Sequence, residues 1–337
     1  MNVRFFNPGL IYKKHEADFD AAIKRVLTNG DLILRDDVEE FEKSLADFVG
    51  TKYAVALNSG TDALYLALWH LGIGEGDEVL VPAHTFVATA QVVQQLGARP
   101  ILYDLHEPVH FGDAKVIIPA HIAGAFEGDM QNLIESANKN GVMVIEDSCQ
   151  ALGAEQYGRK AGSFGIAGAF SFYPAKILGA FGDAGGLGTD DKELYEHVKE
   201  LRNHCKGKTD EWGINSRMDN LQAAVLNVRI KHLPEMLARR QEIAERYLKE
   251  LRGVGLPENV EGRVWQDFIV THENRDGLYE YLKEQGIETM KNEYPMPLPK
   301  PSRALNYEKT SLRIPCNDVL TDEEVSYVIE KINEFTG

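Results

Sequence analysis

Lys176 stands between an apolar run and a glycine-rich turn: Ser171-Phe172-Tyr173-Pro174-Ala175-Lys176-Ile177-Leu178-Gly179, then Gly182-Asp183-Ala184-Gly185-Gly186. An amine held in a partly dry pocket has a lowered pKa and becomes a nucleophile able to form a Schiff base with an aldehyde. Alone, a lysine reads more readily as a solvated surface charge. Asp147, upstream, alters that balance. It ends the run Val142-Met143-Val144-Ile145-Glu146-Asp147, the kind of apolar stretch that forms a strand buried on both faces of a parallel sheet. An acid at the carboxyl end of such a strand sits where open α/β sheets bind ligands, although a helix-capping aspartate looks the same in sequence.

Pyridoxal phosphate asks for this pair of groups: a lysine for its aldehyde, and an acid that keeps the pyridine nitrogen protonated so that the ring accepts electrons. Its phosphate would need a cradle, and Asn58-Ser59-Gly60-Thr61-Asp62 lies where a strand gives way to a helix. Free amides of Gly60, Thr61 and Asp62 and the Thr61 hydroxyl would meet the positive end of the helix dipole there. A plain N-cap by Ser59 or Thr61 uses the same residue types, and the motif alone does not separate the two readings. Ser171 offers a second hydroxyl to the same anion. Phe86 follows another strand end and is placed to stack on a pyridine ring, although burial in a helix is the commoner fate of a phenylalanine. Gln150, three residues after Asp147, is within reach of a ring oxygen, and a surface glutamine would look no different.

The elements that must position these side chains alternate over the first two thirds of the chain, the pattern of a mostly parallel sheet covered by helices. Strands are expected at 53–57, 78–81, 100–103, 116–118 and 142–146, and helices at 61–71, 85–96 and 130–140. After the lysine the pattern turns helical, with helices expected at 191–205, 218–236 and 237–251, the last two separated or kinked at Pro234. The stretch 252–263 holds three glycines and a proline and is the expected hinge, dividing a large domain (1–251) from a small C-terminal α/β domain (252–337). In the latter, a strand at 264–271 and helices at 275–285 and 322–335 are expected, the last capped by Thr321.

Length and charge narrow the function classes. The 337 residues suffice for a large α/β domain and a smaller one, with an ordinary hydrophobic fraction of 44%. A formal net charge of −16 argues against a nucleic-acid or anionic-membrane surface. No run approaches a bilayer span and no secretory signal is read, so a cytoplasmic location is expected. Cys149, Cys205 and Cys316 are widely spaced, without CxxC or a neighbouring histidine pair, and imply reduced thiols and no metal site. Cys149 reads as a small buried filler beside the proposed site.

Taken in order, these motifs resemble those of the DegT/DnrJ/EryC1/StrS sugar aminotransferases, enzymes of fold type I that depend on pyridoxal phosphate. The likeness runs from Phe41-Glu42 and Asn58-Ser59-Gly60-Thr61-Asp62-Ala63-Leu64 through Glu146-Asp147-Ser148-Cys149-Gln150-Ala151, Gly158-Arg159, Gly162-Ser163-Phe164-Gly165 and Ser171 to Lys176. It ends with Gly213-Ile214-Asn215-Ser216-Arg217-Met218. The resemblance implies that Lys176 carries the cofactor, Asp147 pairs with the pyridine nitrogen, Phe86 stacks on the ring and Gln150 approaches the ring oxygen. Gly60, Thr61, Asp62 and Ser171 would hold the phosphate. It also implies a homodimer whose active site is completed by Asn215 of the partner subunit, a residue that sequence alone leaves as loop. The implied reaction moves an amino group from L-glutamate to the keto carbon of a nucleotide-linked sugar through pyridoxamine phosphate. Some relatives carry histidine in place of the lysine and are dehydratases; this chain keeps lysine. Related synthases, and a non-catalytic sensor that keeps the fold, are the rival readings. Two departures bear on substrate: the segment between Asp104 and Val116 is shorter than in most relatives, and Glu293-Tyr294-Pro295 stands where many have His-Tyr-Pro. Arg217, Lys206 and Lys291 are weak candidates for an anionic substrate.

Overall fold

Runs of Val, Ile, Leu and Ala form the strands of one large sheet in the computed structural model, which describes residues 1–104 and 107–337. These strands are β1 (Tyr53–Leu57), β2 (Glu78–Pro82), β3 (Arg99–Tyr103), β4 (Ala114–Ile117) and β5 (Met143–Asp147). A separate two-stranded ribbon, β6 (Glu155–Gln156) and β7 (Arg159–Lys160), precedes the last two, β8 (Ala167–Ser171) and β9 (Gly185–Thr189). The order is β1-β9-β8-β5-β4-β2-β3, with β9 antiparallel to both neighbours and the other pairs parallel. This is the expected mostly parallel mixed sheet. Helices cover both faces, which is why its strands read as nearly continuous apolar runs. Leu64, Val92, Leu194 and Val198 pack on one face; Val38, Phe41, Leu45 and Leu226 pack on the other.

Register sets what the carboxyl edge of this sheet can do. Leu57 pairs with Gly185, and Gly185 with Ser171, so the turn after β1 and the end of β8 lie two strands apart. Asp147 pairs with Ala169 on the next strand over. At about 4.8 Å per strand, the three features fall within a span of roughly 15 Å.

A second sheet, β10 (Phe268–Thr271), β11 (Met290–Lys291) and β12 (Ser311–Ile314), is antiparallel with β12 in the middle. Phe268, Val270, Leu312 and Ile314 enter its own core, packed with Leu278, Val325 and Val328 from the helices Arg275–Glu284 and Asp322–Thr336. Because strand side chains alternate, Asp267, Ile269 and Arg313 belong to the opposite face. The helix Leu233–Glu250 serves both cores: Leu233 and Met236 pack beneath the large sheet, Ile243 and Tyr247 in the small one.

Several element limits differ from expectation. The helix expected at 191–205 is Lys192–Leu201, capped by Asp191; His204 and Cys205 have positive φ, which ends it early. Pro234 does not kink a helix but begins one. The break falls at 231–232, and the proline occupies the first turn, where its missing N–H costs nothing. The strand expected from 264 starts only at Phe268, and the helix expected at 85–96 is Val87–Gln95 with Phe86 at its N-cap. Thr321 caps its helix in a reciprocal box with Glu324, as expected. Among the described residues no helix is long and apolar enough to cross a membrane. The shortened 104–116 segment includes residues 105 and 106, which lie outside the described residues.

Candidate active site

Lys176 follows β8 in a tight turn: its own N–H donates to Tyr173 O at 2.8 Å, and Ala180 N–H returns to Phe172 O at 2.8 Å. Gln266 pins the turn on both sides of the lysine. Its Nε2 donates to Ala175 O at 3.1 Å, and its Oε1 accepts from Ile177 N–H at 2.9 Å. The lysine is half-buried, and burial pushes its ammonium below its ordinary pKa. Among the described residues no carboxylate lies within ion-pair distance of Nζ, although the charges of Cys149, Asp267 and Asp147 work to raise the pKa again.

Asp147 is buried at the end of β5 and oriented from two sides. Thr89 Oγ1 donates to its Oδ2 at 2.8 Å while accepting from Thr85 Oγ1 at 2.9 Å, and Cys149 N–H donates to Oδ1 at 3.2 Å. Thr85 and Thr89 were not singled out in the sequence; their i, i+4 spacing at the start of a helix beside a strand end is the signal that could have found them. Glu146, one residue earlier, faces the other way and is spent on structure. It accepts from the N–H groups of Gly162, Phe164 and Gly165 and from His121 Nε2 at 3.1 Å. His121 Nδ1 accepts from Glu127 N–H at 3.2 Å, which fixes the Nε2–H tautomer.

The turn after β1 is an N-cap with amides to spare. Ser59 Oγ accepts from Asp62 N–H at 3.1 Å, so the Asp62 amide is already used, whereas the Gly60 and Thr61 amides bond to none of the described residues. The N-cap reading therefore holds, and two amides are left over for an anion. The Asp62 carboxylate accepts from Ser216 Oγ at 2.6 Å. A Cβ on Gly60 would stand 2.5 Å from Cys149 Sγ and 3.1 Å from Ser171 Cβ, so the turn touches both the Asp147 strand and Ser171. Cys149 is the filler between them, its thiol pKa pushed up by burial. The structure thus brings Gly60, Thr61, Ser171, Asp147 and Lys176 to one edge.

Phe86 presents its ring to open space, 54% exposed, at the N-cap of Val87–Gln95. Gln150 is buried; its Oε1 accepts from Ala123 N–H at 3.0 Å and its Nε2 donates to Tyr294 Oη at 3.2 Å. Tyr294, from the second sheet's side, lies edge-on to Phe86 at 6.4 Å. Asn215 is exposed in a bridge with Asn203, on a loop anchored by Ser216 to Asp62. Of the remaining candidates, Arg217 donates to Asn203 Oδ1 at 2.9 Å, Lys291 pairs with Asp276 at 2.6 Å, and Lys206 is exposed. Glu293 pairs with Arg275 at 2.6 Å.

Residues 13–333 match the model of the DegT/DnrJ/EryC1/StrS aminotransferase family. The chain belongs to this family. It is 38% identical to the dTDP-3-amino-3,4,6-trideoxy-alpha-D-glucose transaminase of Streptomyces venezuelae, over 99% of this chain and 96% of that one. Among solved structures it resembles S. venezuelae DesV at TM-score 0.93 and 36% identity, covering 99% of this chain and 98% of that one. NtdA from Bacillus subtilis, solved with bound PMP, matches at TM-score 0.90 and 30% identity, covering 99% and 85%. Family members depend on pyridoxal phosphate, and this chain is an aminotransferase of that kind.

Proposed function

We propose that the chain transfers an amino group from L-glutamate to the keto carbon of a dTDP-, UDP- or GDP-linked sugar, in two half-reactions linked by the pyridoxamine form of the cofactor. The observation that carries this reading is the meeting of Lys176, Asp147 and the unused Gly60 and Thr61 amides at one sheet edge. Those residues fit pyridoxal phosphate: an amine lowered in pKa for the aldehyde, an oriented carboxylate for the pyridine nitrogen, and two free amides with the Thr61 and Ser171 hydroxyls for the phosphate. Phe86 would cover the ring, Gln150 would flank its oxygen, and the Asp62 side chain would hold the turn through Ser216. When bound, the cofactor supplies an aldehyde and an electron-accepting ring.

The protein's share of the chemistry lies in proton movement and charge. With the cofactor bound, Lys176 Nζ would act as a free amine that takes the proton from the donor's α-carbon and hands it on. Asp147 would face the ring nitrogen, with Thr89 and the Cys149 amide each holding one of its oxygens, so that a carboxylate is fixed where positive charge on the ring must be kept. The exposed Asn215, on a loop tied to the phosphate turn, is placed to serve a second chain, which supports a homodimer with shared sites.

Stoichiometric release of 2-oxoglutarate from L-glutamate by the cofactor-loaded protein, followed by amination of a panel of nucleotide-linked keto sugars, tests the reading. Loss of the ketone without consumption of glutamate would point to a synthase or dehydratase. An absorbance spectrum that glutamate leaves unchanged would count for a sensor.

A further inference from the structure

Phe86 sits on a segment that its own N–H groups do not hold. Between β2 and the helix Val87–Gln95, the amides of His84, Thr85 and Phe86 donate to no acceptor among the described residues. What fixes this stretch is the His84 side chain, which is buried and reaches across to the second sheet. Its Nδ1 lies 3.1 Å from Glu308 Oε1 on the helix Ser302–Thr310, and its Nε2 lies 3.3 Å from Asn292 Nδ2, next to β11. The rings of Tyr294 and Tyr307 stand edge-on to the imidazole at 4.9 and 5.0 Å. Arg313 Nε donates to Asn292 Oδ1 at 2.9 Å, which leaves the Asn292 amide nitrogen facing His84. Nε2 must then accept, so the ring proton sits on Nδ1 and is donated to Glu308. The imidazole is therefore neutral, and burial, which outweighs the pull of Glu308, holds its pKa below the ordinary value. Lys300 Nζ, with its side chain also buried, pairs with the same Glu308 oxygen and balances that charge without a second proton on His84.

We propose that His84 is a positioning residue for the cofactor: a neutral imidazole through which the second sheet sets where Phe86 stands against the ring and where Thr85 meets Thr89, the partner of Asp147. This rests on the cofactor site of the transaminase reading, not on its amino donor or ketone. The Phe86 ring is 54% exposed, and among the described residues its one aromatic neighbour is Tyr294, edge-on at 6.4 Å. A ring so exposed is located by the chain that carries it, and His84 is the anchor of that chain two residues away. Thr85, between them, bonds to Thr89, which in turn holds Asp147. The second sheet thus grips both margins of the cofactor site: Gln266 pins the Lys176 turn, while Glu308 and Asn292 pin the segment of Phe86. An apolar side chain at 84 would leave buried Glu308 and Asn292 one partner short and release that segment.

The test is made on the cofactor-loaded protein without donor or ketone, by the visible circular dichroism of bound pyridoxal phosphate and by its dissociation constant from equilibrium dialysis. Phe86→Leu is the reference for a ring that has lost its cover. His84→Leu is expected to shift the dichroism in the same direction as Phe86→Leu and to raise the dissociation constant about fivefold, the scale of one aromatic stacking contact. His84→Gln, whose amide can still bond to Glu308 and Asn292, is expected to recover most of both. Thr321→Ala, which loses a helix cap elsewhere in the chain, is expected to change neither. Dichroism and affinity unchanged in His84→Leu overturn the proposal, as do a change of the same size in Thr321→Ala, a His84→Gln no better than His84→Leu, or a dichroism that Phe86→Leu leaves untouched. If His84→Leu does not fold, His84→Asn decides: it keeps a donor for Glu308 but is too short to accept from Asn292, so a rise of about twofold is expected, and binding equal to wild type overturns the proposal. With no donor or ketone present, the result stands even where L-glutamate or nucleotide-linked sugars prove not to be substrates.

Discussion

The two sheets meet the same lysine with different materials. The large sheet offers the ends of its strands: backbone amides at Gly60 and Thr61, a hydroxyl at Ser171, and one carboxylate, Asp147, fixed by Thr89 and the Cys149 amide. The small sheet offers a face, and on it long charged side chains, Arg313 and Asp267, held by ion pairing and by the Tyr294 ring. Strand ends and helix N-termini are set by the core beneath them, so they suit a cofactor that never varies. A side chain on a sheet face can change without disturbing the register, which suits discrimination among substrates.

Substitutions at the strand ends should therefore damage chemistry, and those elsewhere should damage affinity or stability. The largest effect is expected at Lys176→Ala. Turnover should fall by more than about 10⁴-fold, since the nucleophile and the proton carrier are lost together, and the covalent cofactor adduct should vanish from the intact mass after borohydride reduction. Turnover without added amines in that variant would break the assignment. Asp147→Asn should follow, with kcat reduced about 10²–10³-fold in the glutamate half-reaction; an unaltered kcat would move the electrostatic work elsewhere.

Gly185→Ala tests whether the edge is as tightly built as its register implies. The added Cβ would lie 2.1 Å from Ser59 C and 2.4 Å from Gly60 N, so the phosphate turn must shift. A loss of about 1–3 kcal/mol in denaturant unfolding is expected, with weaker cofactor binding at equilibrium dialysis.

Glu127 lies close by but away from the chemistry, bonded to Tyr103 Oη and to Ala120 N–H at 2.7 Å, and burial pushes its pKa up to about 8. The folded state thus binds a proton that the unfolded state releases near its ordinary value of 4.5. Its contribution to stability is complete below that value and is lost as pH rises through about 8. Glu127→Gln should remove this decline from the pH dependence of unfolding while retaining the stability seen at low pH. The smallest effect is expected at Thr321→Ala, remote from both the turn and the ion pair. Loss of its capping box should cost about 1 kcal/mol and leave KM for glutamate unchanged.

Much of the large sheet was legible because burial on both faces writes apolar runs that need no partner to be recognised. The strands at Tyr53, Glu78 and Met143 lie where those runs place them. Local chemistry misled where it had two uses. Pro234 was read as separating or kinking two helices because a proline lacks an N–H; two separate helices are what the fold has, but the proline sits in the first turn of the second, where the same lack costs nothing. The helix expected to run to Cys205 stops at Leu201, because positive φ at His204 and Cys205 turns the chain. The Thr85–Thr89 support of Asp147 went unread because it joins residues far apart in sequence.

Residue type and spacing alone singled out Lys176, Asp147 and the Ser59–Thr61 turn as candidates and laid out the strands that carry them, because strand and helix periodicities are local and an anion-binding turn is built from consecutive amides. Only the tertiary structure decided that the Asp62 amide is spent on its cap, that Glu146 and Asp147 face opposite ways into different hydrogen-bond networks, and that Gln266 pins the lysine turn. Those outcomes depend on contacts between segments as distant as 177 and 266. No local pattern encodes such contacts, because they arise only when two separately formed sheets pack against one another.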